Sequence, residues 1–383
     1  MVSVKKINIL HIIKDDKFCD PVFSKFEKDN RINNFSIIMV TSKYKLKYIK
    51  KTEKLTILYT EKQLKHYLEK INYDVIFFYS LQCDKYHYFK YIPKNVIVIW
   101  WCWGTELYSE YYGMKPFISL DVYKKQTKTI LNKNNDYLFF LKKIVNKLFR
   151  ARYYKKLRKR ALERIDYFQP VISVEYDIMQ SIDSFRAKEF YYPHCLTFFP
   201  EKFKKRNEYG SILFGNSANP YNNHLDVWQS ICDYLPCMNK IIIPLSYGYK
   251  DYSILIRNNI KSSQLNISYL TEFLSPINYF NIVSECSYAV FGVIRQHSMG
   301  NINYCLRNGI KIFLYKDSMV YQYLKRLGYK VFTIEGINEK SFLTPLSQSD
   351  HEINCEIYIK EQLRVQKIGD ESLSEIIKKI KEK

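Results

Sequence analysis

Arg295 stands in the run VIRQHSMGN, just past a stretch that reads as a β-strand. Ser298, three residues on, is placed to cap the helix that follows. The free N–H groups of such a helix start, joined by a guanidinium, would neutralise an anion. Gln296 and Gly300 belong to the same turn. The bland reading of Arg295 is a surface salt bridge. A second cluster, Gly215, Asn216 and Ser217, follows the strand-like run SILF. A Gly-Asn-Ser turn lets backbone approach a ligand closely, and it also serves as an ordinary strand-to-helix turn. Asn222 and His224 open the helix beyond it, where His224 would either touch that ligand or merely satisfy a carbonyl.

These residues need elements to hold them. Short β-branched or aromatic runs recur from Ile7 (INILHII), Phe35, Leu55, Asp74 and Val96, with a helix-like stretch from Glu61 to Ile71. A second series begins at Ser211 and continues from Lys240, Asn266, Ser287 and Ile310. Helices fit between its members at Asn222 to Tyr234, Tyr249 to Asn259, Pro276 to Cys286 and Met299 to Arg307, the last stopped by Asn308-Gly309. Continuous apolar strands alternating with helices predict parallel sheets covered on both faces. The pattern runs twice, broken near 195–210. We therefore expect an α/β architecture of two Rossmann-like domains facing each other across a cleft, with ligands outside the carboxyl ends of the strands. The expected division is 1–200, with a basic amphipathic insertion at about 137–165, then 208–350, then terminal helices over 351–383.

The 383 residues suffice for two cores, and a 47% hydrophobic fraction argues against global disorder. The net charge of +22 predicts an anionic partner: nucleic acid, a phospholipid surface or a phosphorylated substrate. Nine cysteines show no C-x-x-C pair and no zinc spacing, so free thiols in a reducing cytoplasm and no metal site are expected. A signal peptide is not expected, and no stretch of about 18 uncharged apolar residues exists, so membrane contact would be peripheral. Residues 142–160 hold ten basic and no acidic side chains. Lys142, Lys143, Lys147, Arg150 and Arg152 interleave there with apolar residues such as Phe149. That stripe suits an anionic bilayer surface or the acceptor; a solvated helix and a nucleic-acid grip are its alternatives. Nucleic acid is the least favoured, because no RNA-binding or zinc-finger signature accompanies the charge.

Four segments carry a family resemblance: WCWGTELY from Trp101, FGNSANPYNNHL from Phe214, IIIPLSYG from Ile241, and the long run from Leu270 through VIRQHSMGN. Their order and spacing resemble the TDP-N-acetylfucosamine:lipid II N-acetylfucosaminyltransferase family, glycosyltransferase family 56. Tyr79 and Trp101 depart from it, standing where histidines are expected. The resemblance implies a GT-B fold, a dTDP-activated deoxyamino sugar donor and a polyprenyl-diphosphate-linked acceptor. It also implies service in surface polysaccharide synthesis, of the O antigen or enterobacterial common antigen type, at the inner face of a bacterial inner membrane.

Sugar transfer has an oxocarbenium-like transition state and an anionic leaving group. With no metal motif visible, the Arg295 region would neutralise the departing diphosphate without a cofactor. Tyr247 would stack on thymine or sugar, or be structural. Glu272 would hold ribose or sugar hydroxyls, or merely favour a helix start. A general base for the acceptor is expected in the N-terminal domain, from Glu106, Asp16 or His11, unless the enzyme retains configuration. Another nucleotide sugar, or a basic membrane- or nucleic-acid-binding protein without activity, are the competing functions.

Overall fold

The computed structural model describes residues 6–13, 26–27, 29–40, 49, 55–133, 150–192, 204–235 and 238–382. The chain groups into two compact units. The first comprises Met1–Ser119, Leu138–Cys195 and Arg364–Lys383; the second comprises Leu120–Tyr137 and Leu196–Leu363. This differs from the division drawn from sequence in two places. Residues 120–137 group with the second unit, and the last twenty residues group with the first.

The first unit is built on seven parallel strands: β1 (Ile7–Ile13), β2 (Ile32–Met39), β3 (Leu55–Leu58), β4 (Val75–Tyr79), β5 (Ile97–Trp101), β6 (Tyr167–Gln169) and β7 (Lys188–Glu189). Their order is β3-β2-β1-β4-β5-β6-β7. The second unit has six: β8 (Ser211–Phe214), β9 (Ile241–Pro244), β10 (Ile267–Leu270), β11 (Cys286–Phe291), β12 (Lys311–Leu314) and β13 (Phe332–Thr333). Their order is β10-β9-β8-β11-β12-β13, again all parallel. Every residue of VIFFY in β4, SILF in β8, IIIP in β9 and CSYAVF in β11 is buried. Such uninterrupted apolar strands are stable only with both sheet faces covered, which crossover helices provide.

The helices used below are α1 (Glu61–Lys70), α2 (Thr105–Tyr108), α3 (Lys125–Lys133), α4 (Ala151–Arg164), α5 (Ser173–Gln180), α6 (His224–Ile231), α7 (Lys250–Asn259), α8 (Pro276–Ser284), α9 (Met299–Arg307), α10 (Met319–Leu327) and α11 (Gln348–Lys381). Thr60 and Gln63 close a reciprocal capping box on α1. The tail is a single helix, α11, beginning three residues before the 351–383 stretch read from sequence.

Both sheets reverse strand order once, between β1 and β4 and between β8 and β11. Loops leave such a reversal in opposite directions and open a crevice beyond the carboxyl ends of the strands. In the second unit one glycine allows that crevice its walls. A Cβ on Gly292, the residue after β11, would stand 2.2 Å from the Asn222 carbonyl oxygen and 2.4 Å from Val227 Cγ2. Only a bare Cα lets the start of α6 approach β11 this closely.

Gly292→Ala should therefore destabilise the protein by about 1–3 kcal/mol, the range for overpacking a tight site. Gly300→Ala, at a position with nothing within 4 Å of an added Cβ, should not. Urea unfolding of the two variants checks the contrast; equal midpoints would refute it.

Candidate functional site

The residues nearest the reversal in the second sheet come from two loops. The first leaves β8 through Gly215, whose φ of +69° is left-handed. Its amide donates to the Val290 carbonyl on β11 (2.8 Å), so it is pinned to the neighbouring strand. A Cβ here would meet His224 Nε2 at 2.5 Å. Asn222 holds the rest of the turn: its Nδ2 donates to the Ser217 carbonyl (3.1 Å) and the Asn219 carbonyl (3.2 Å), and its Oδ1 accepts from the Asn216 amide (3.3 Å). Ser217, Asn222 and His224 are buried. Burial pushes the His224 imidazole down to about 3, so it is neutral. Its Nδ1 lies 3.4 Å from the Tyr252 hydroxyl, and its Nε2 has no hydrogen-bond partner.

The second loop leaves β11 and carries Arg295, Gln296, His297 and Ser298. Arg295, Gln296 and Ser298 are buried. Arg295 Nη1 donates to the Gln296 carbonyl (2.7 Å), and the guanidinium lies over the Tyr221 ring, 4.1 Å from its centroid. Burial, then the nearby Arg295 charge, pushes His297 down to about 3. Gln296 Oε1, His297 Nε2 and Ser298 Oγ are buried without a hydrogen-bond partner. Leaving such groups unsatisfied costs about 1–3 kcal/mol each. Ser298 does occupy the residue before α9, but its side chain does not cap the helix. Its φ of 63° is left-handed, which departs from the extended backbone of a capping serine. The first amides of α9 thus keep their free N–H groups, and Gly300 among them is exposed, with open space beside it.

Tyr247 and Glu272 leave the same sheet edge from β9 and β10, and both are exposed. Tyr247 is tied to the first loop: its carbonyl accepts from the Ala218 amide (2.7 Å), and Ala218 bridges Gly248 in parallel register. The parallel sheet therefore brings Gly215, Asn216, Ser217, Tyr247, Glu272 and Arg295 to one carboxyl edge, with Glu272 outermost. Sequence reasoning missed Tyr221, Asn223 and Asp226, which sit among the predicted residues. Their signal was the polar run NPYNNHLD itself, too dense for an ordinary turn.

In the first unit the three candidate bases fare differently. His11 is fully buried in β1, and both ring nitrogens are bonded, Nδ1 to the Tyr79 hydroxyl and Nε2 to Asn34 Oδ1, each at 2.9 Å. Burial pushes it down to about 4. Glu106 on α2 is also buried; it accepts from the Trp103 amide (3.0 Å), Trp100 Nε1 (3.3 Å) and Ser80 Oγ (3.3 Å). It knits the loops after β4 and β5. Asp16 lies outside the described residues. A third carboxyl, Glu175 on α5, was not anticipated. Burial pushes it up to about 7 against donors from Tyr108 and the Ile172 and Val171 amides. Of the basic stripe, Lys142, Lys143, Lys147 and Phe149 lie outside the described residues, while Arg150 and Arg152 are exposed. Among the described residues, no three His, Cys, Asp or Glu side chains are grouped to hold a metal ion, and the six cysteines are free.

The model of the 4-alpha-L-fucosyltransferase family, glycosyl transferase group 56, matches residues 141–348, more than half of the chain. The chain belongs to this family. It is a glycosyltransferase, and the Gly215 and Arg295 loops both fall within the matched span, whereas WCWGTELY lies upstream of it. Solved structures with the same fold include a glycosyltransferase from Rickettsia africae (12% identity, 98% of this chain and 99% of that one, TM-score 0.58). An α,α-trehalose-phosphate synthase (UDP-forming) from Burkholderia xenovorans is similar too (8% identity, 97% and 100%, TM-score 0.58). So is WaaG, a glycosyltransferase involved in lipopolysaccharide biosynthesis (8% identity, 97% and 99%, TM-score 0.53). At these identities the likeness concerns the fold, and the fold of this family member is GT-B.

The buried histidines set a pH dependence. His224 and His297 have folded-state values below the ordinary 6.5, so the unfolded chain takes protons that the fold refuses. Their stabilisation is complete above about pH 6.5 and is lost as pH falls. At pH 5 the loss is about 2 kcal/mol per histidine. In the first unit His11 acts in the same direction, but Glu175, held above its ordinary value, gains stability as pH falls from 7. The second unit should therefore be the acid-labile one. His224→Gln should flatten the fall in urea stability between pH 7 and 5, and an unchanged slope would count against the assignment.

Proposed function

We propose that this glycosyltransferase moves a 4-acetamido-4,6-dideoxyhexose, such as Fuc4NAc, from a dTDP-sugar onto a polyprenyl-diphosphate-linked oligosaccharide. The setting would be surface polysaccharide synthesis of the O antigen or enterobacterial common antigen type. The fucosyltransferase description of the family supports a deoxyhexose donor. The observation that carries the reading is the loop from Arg295 to Ser298. It combines a buried guanidinium, two buried side-chain oxygens without partners, and the uncapped start of a nine-residue helix, all at a topological switch point.

That arrangement suits a diphosphate. As the sugar–oxygen bond lengthens, negative charge builds on the departing nucleotide, and fixed donors aimed at it lower the barrier more than donors that must reorganise. Arg295 supplies the charge, the amides of Met299 to Asn301 supply dipoles, and Ser298 supplies a hydroxyl proton. The neutral state of His224 and His297 leaves Arg295 as the cation of that loop. The Gly215–Ser217 turn brings backbone close to the nucleotide, and Tyr247 and Glu272 face the ring and the hydroxyls. We propose metal-independent transfer on this basis. On the acceptor side, the bonds of His11 and Glu106 commit both to the fold, which makes Asp16 the base to test.

Purified protein should release nucleoside diphosphate from dTDP-sugars, best from a 4-acetamido-4,6-dideoxyhexose, and should do so in EDTA. Arg295→Ala should lower kcat roughly 10²–10³-fold, the scale for removing one oxyanion donor. Turnover confined to UDP- or GDP-sugars would refute the dTDP assignment, and no turnover or binding with any nucleotide sugar would refute the donor site.

We also propose peripheral attachment at the cytoplasmic face of the inner membrane, where the acceptor lipid lies. None of the described helices is long and apolar enough to cross a membrane. Arg150, Arg152, Lys155, Lys156, Lys159 and Arg160 form an exposed basic run at and along α4. Each such charge near an anionic surface contributes about 1 kcal/mol. Neutralising Lys142, Lys143, Lys147, Arg150 and Arg152 together should abolish sedimentation with phosphatidylglycerol vesicles at physiological salt. Unchanged sedimentation would reject the attachment.

A further inference from the structure

The segment that leads into α3 is out of place in the chain. The residues before Leu120 and after Tyr137 group with the first unit, yet this stretch packs on the second. Two side chains from the start of α6 hold it. Asn223 brackets Tyr123: its Oδ1 accepts from the Lys124 amide (2.8 Å) and its Nδ2 donates to the Val122 carbonyl (3.2 Å). The same Nδ2 also donates to the Gly292 carbonyl (2.7 Å), at the end of β11. Asp226 caps α3 from outside, accepting from the Gln126 amide (2.7 Å), the Thr127 amide (3.0 Å) and the Thr127 hydroxyl (2.7 Å). Ile130 then packs against the core of the second unit.

With its backbone fixed on both sides, Tyr123 turns its ring to Tyr221. The two rings are parallel, 3° apart, with centroids 5.2 Å from each other. Tyr221 in turn carries the Arg295 guanidinium at 4.1 Å and meets the His297 ring edge-on at 6.1 Å. An aromatic face attracts a guanidinium and fixes where its plane lies, and the attraction is stronger when desolvated.

We infer that Tyr123 and Tyr221 are positioning residues for Arg295, and that the segment from Val122 to Lys133 is a working part of the donor site. This rests on the reading of Arg295 as the diphosphate ligand. The segment sets where the guanidinium sits before the donor arrives, and Asn223 and Asp226 set where the segment sits.

The test is a double-mutant cycle read by calorimetric titration with dTDP, with UDP alongside. Tyr123→Ala should weaken dTDP binding about five- to tenfold, and Tyr123→Phe, which keeps the ring, should restore it to within twofold. In an Arg295→Ala background, Tyr123→Ala should cost nothing further, because its effect travels through the missing guanidinium. Should Tyr123→Ala not fold, Asp226→Asn is measured in the same two backgrounds with the same expectation. Equal losses in both backgrounds, or no loss in either, would overturn the inference while leaving the donor site intact. Failure of the wild-type protein to bind dTDP or UDP would overturn the donor site, and the inference with it.

Discussion

Asn223 is the point on which the second unit's site turns. Its backbone is left-handed, with φ 47° and ψ 40°, so the chain changes direction between the short turn Pro220–Asn222 and α6. That change places neighbouring carboxamides in different tasks. Asn222 faces back and holds the loop from β8; Asn223 faces the end of β11 and the segment around Tyr123. One turn later Asp226 caps α3. Two strand ends, a helix start and a docked segment thus share one irregular residue, buried completely. A left-handed non-glycine residue costs of order 1–3 kcal/mol and persists only where its surroundings over-determine it. Four side-chain hydrogen bonds to backbone do so here.

The electrostatics follow from burial. The chain carries a net charge of +22, but the crevice of the second unit does not depend on that excess. It depends on one guanidinium taken out of water and on histidines that burial keeps neutral. A protonated His297 beside Arg295 would raise the cost of holding either cation. Keeping it neutral lets the guanidinium remain in place against an aromatic ring, with the dipole of α9 pointing the same way.

Most of the sheets was legible in the sequence, because their strands are short β-branched or aromatic runs bounded by turn signals. The three strands not anticipated, β6, β7 and β13, are two or three residues long, too short for an alternation to repeat. The docked segment was illegible for a different reason. Its residues, VYKKQTKTILNK, read as the front of a basic stretch, and what holds them is hydrogen bonding from side chains about 100 positions away. Periodicity cannot report such bonds. The candidate donor residues were found by type and by place after a strand, and parallel pairing then assembled them. Ser298 was read as a cap because serine usually caps; a left-handed backbone there was not foreseeable from its neighbours.

Left-handed backbone at Ser80, Asn223 and Ser298 is compensated at two of the three positions. All three stand beyond the carboxyl ends of strands, in a protein with only eleven glycines to absorb such conformations. At Ser80 the hydroxyl donates to Glu106, and at Asn223 the carboxamide is fully bonded. The strain is offset locally in both. At Ser298 the hydroxyl is buried and has no partner, and Gln296 beside it is in the same state. Strain and desolvation coincide there without compensation from the chain, next to a guanidinium already oriented by Tyr221. Under the proposed function the donor diphosphate supplies that compensation, so the fold sets in advance the geometry that the leaving group requires.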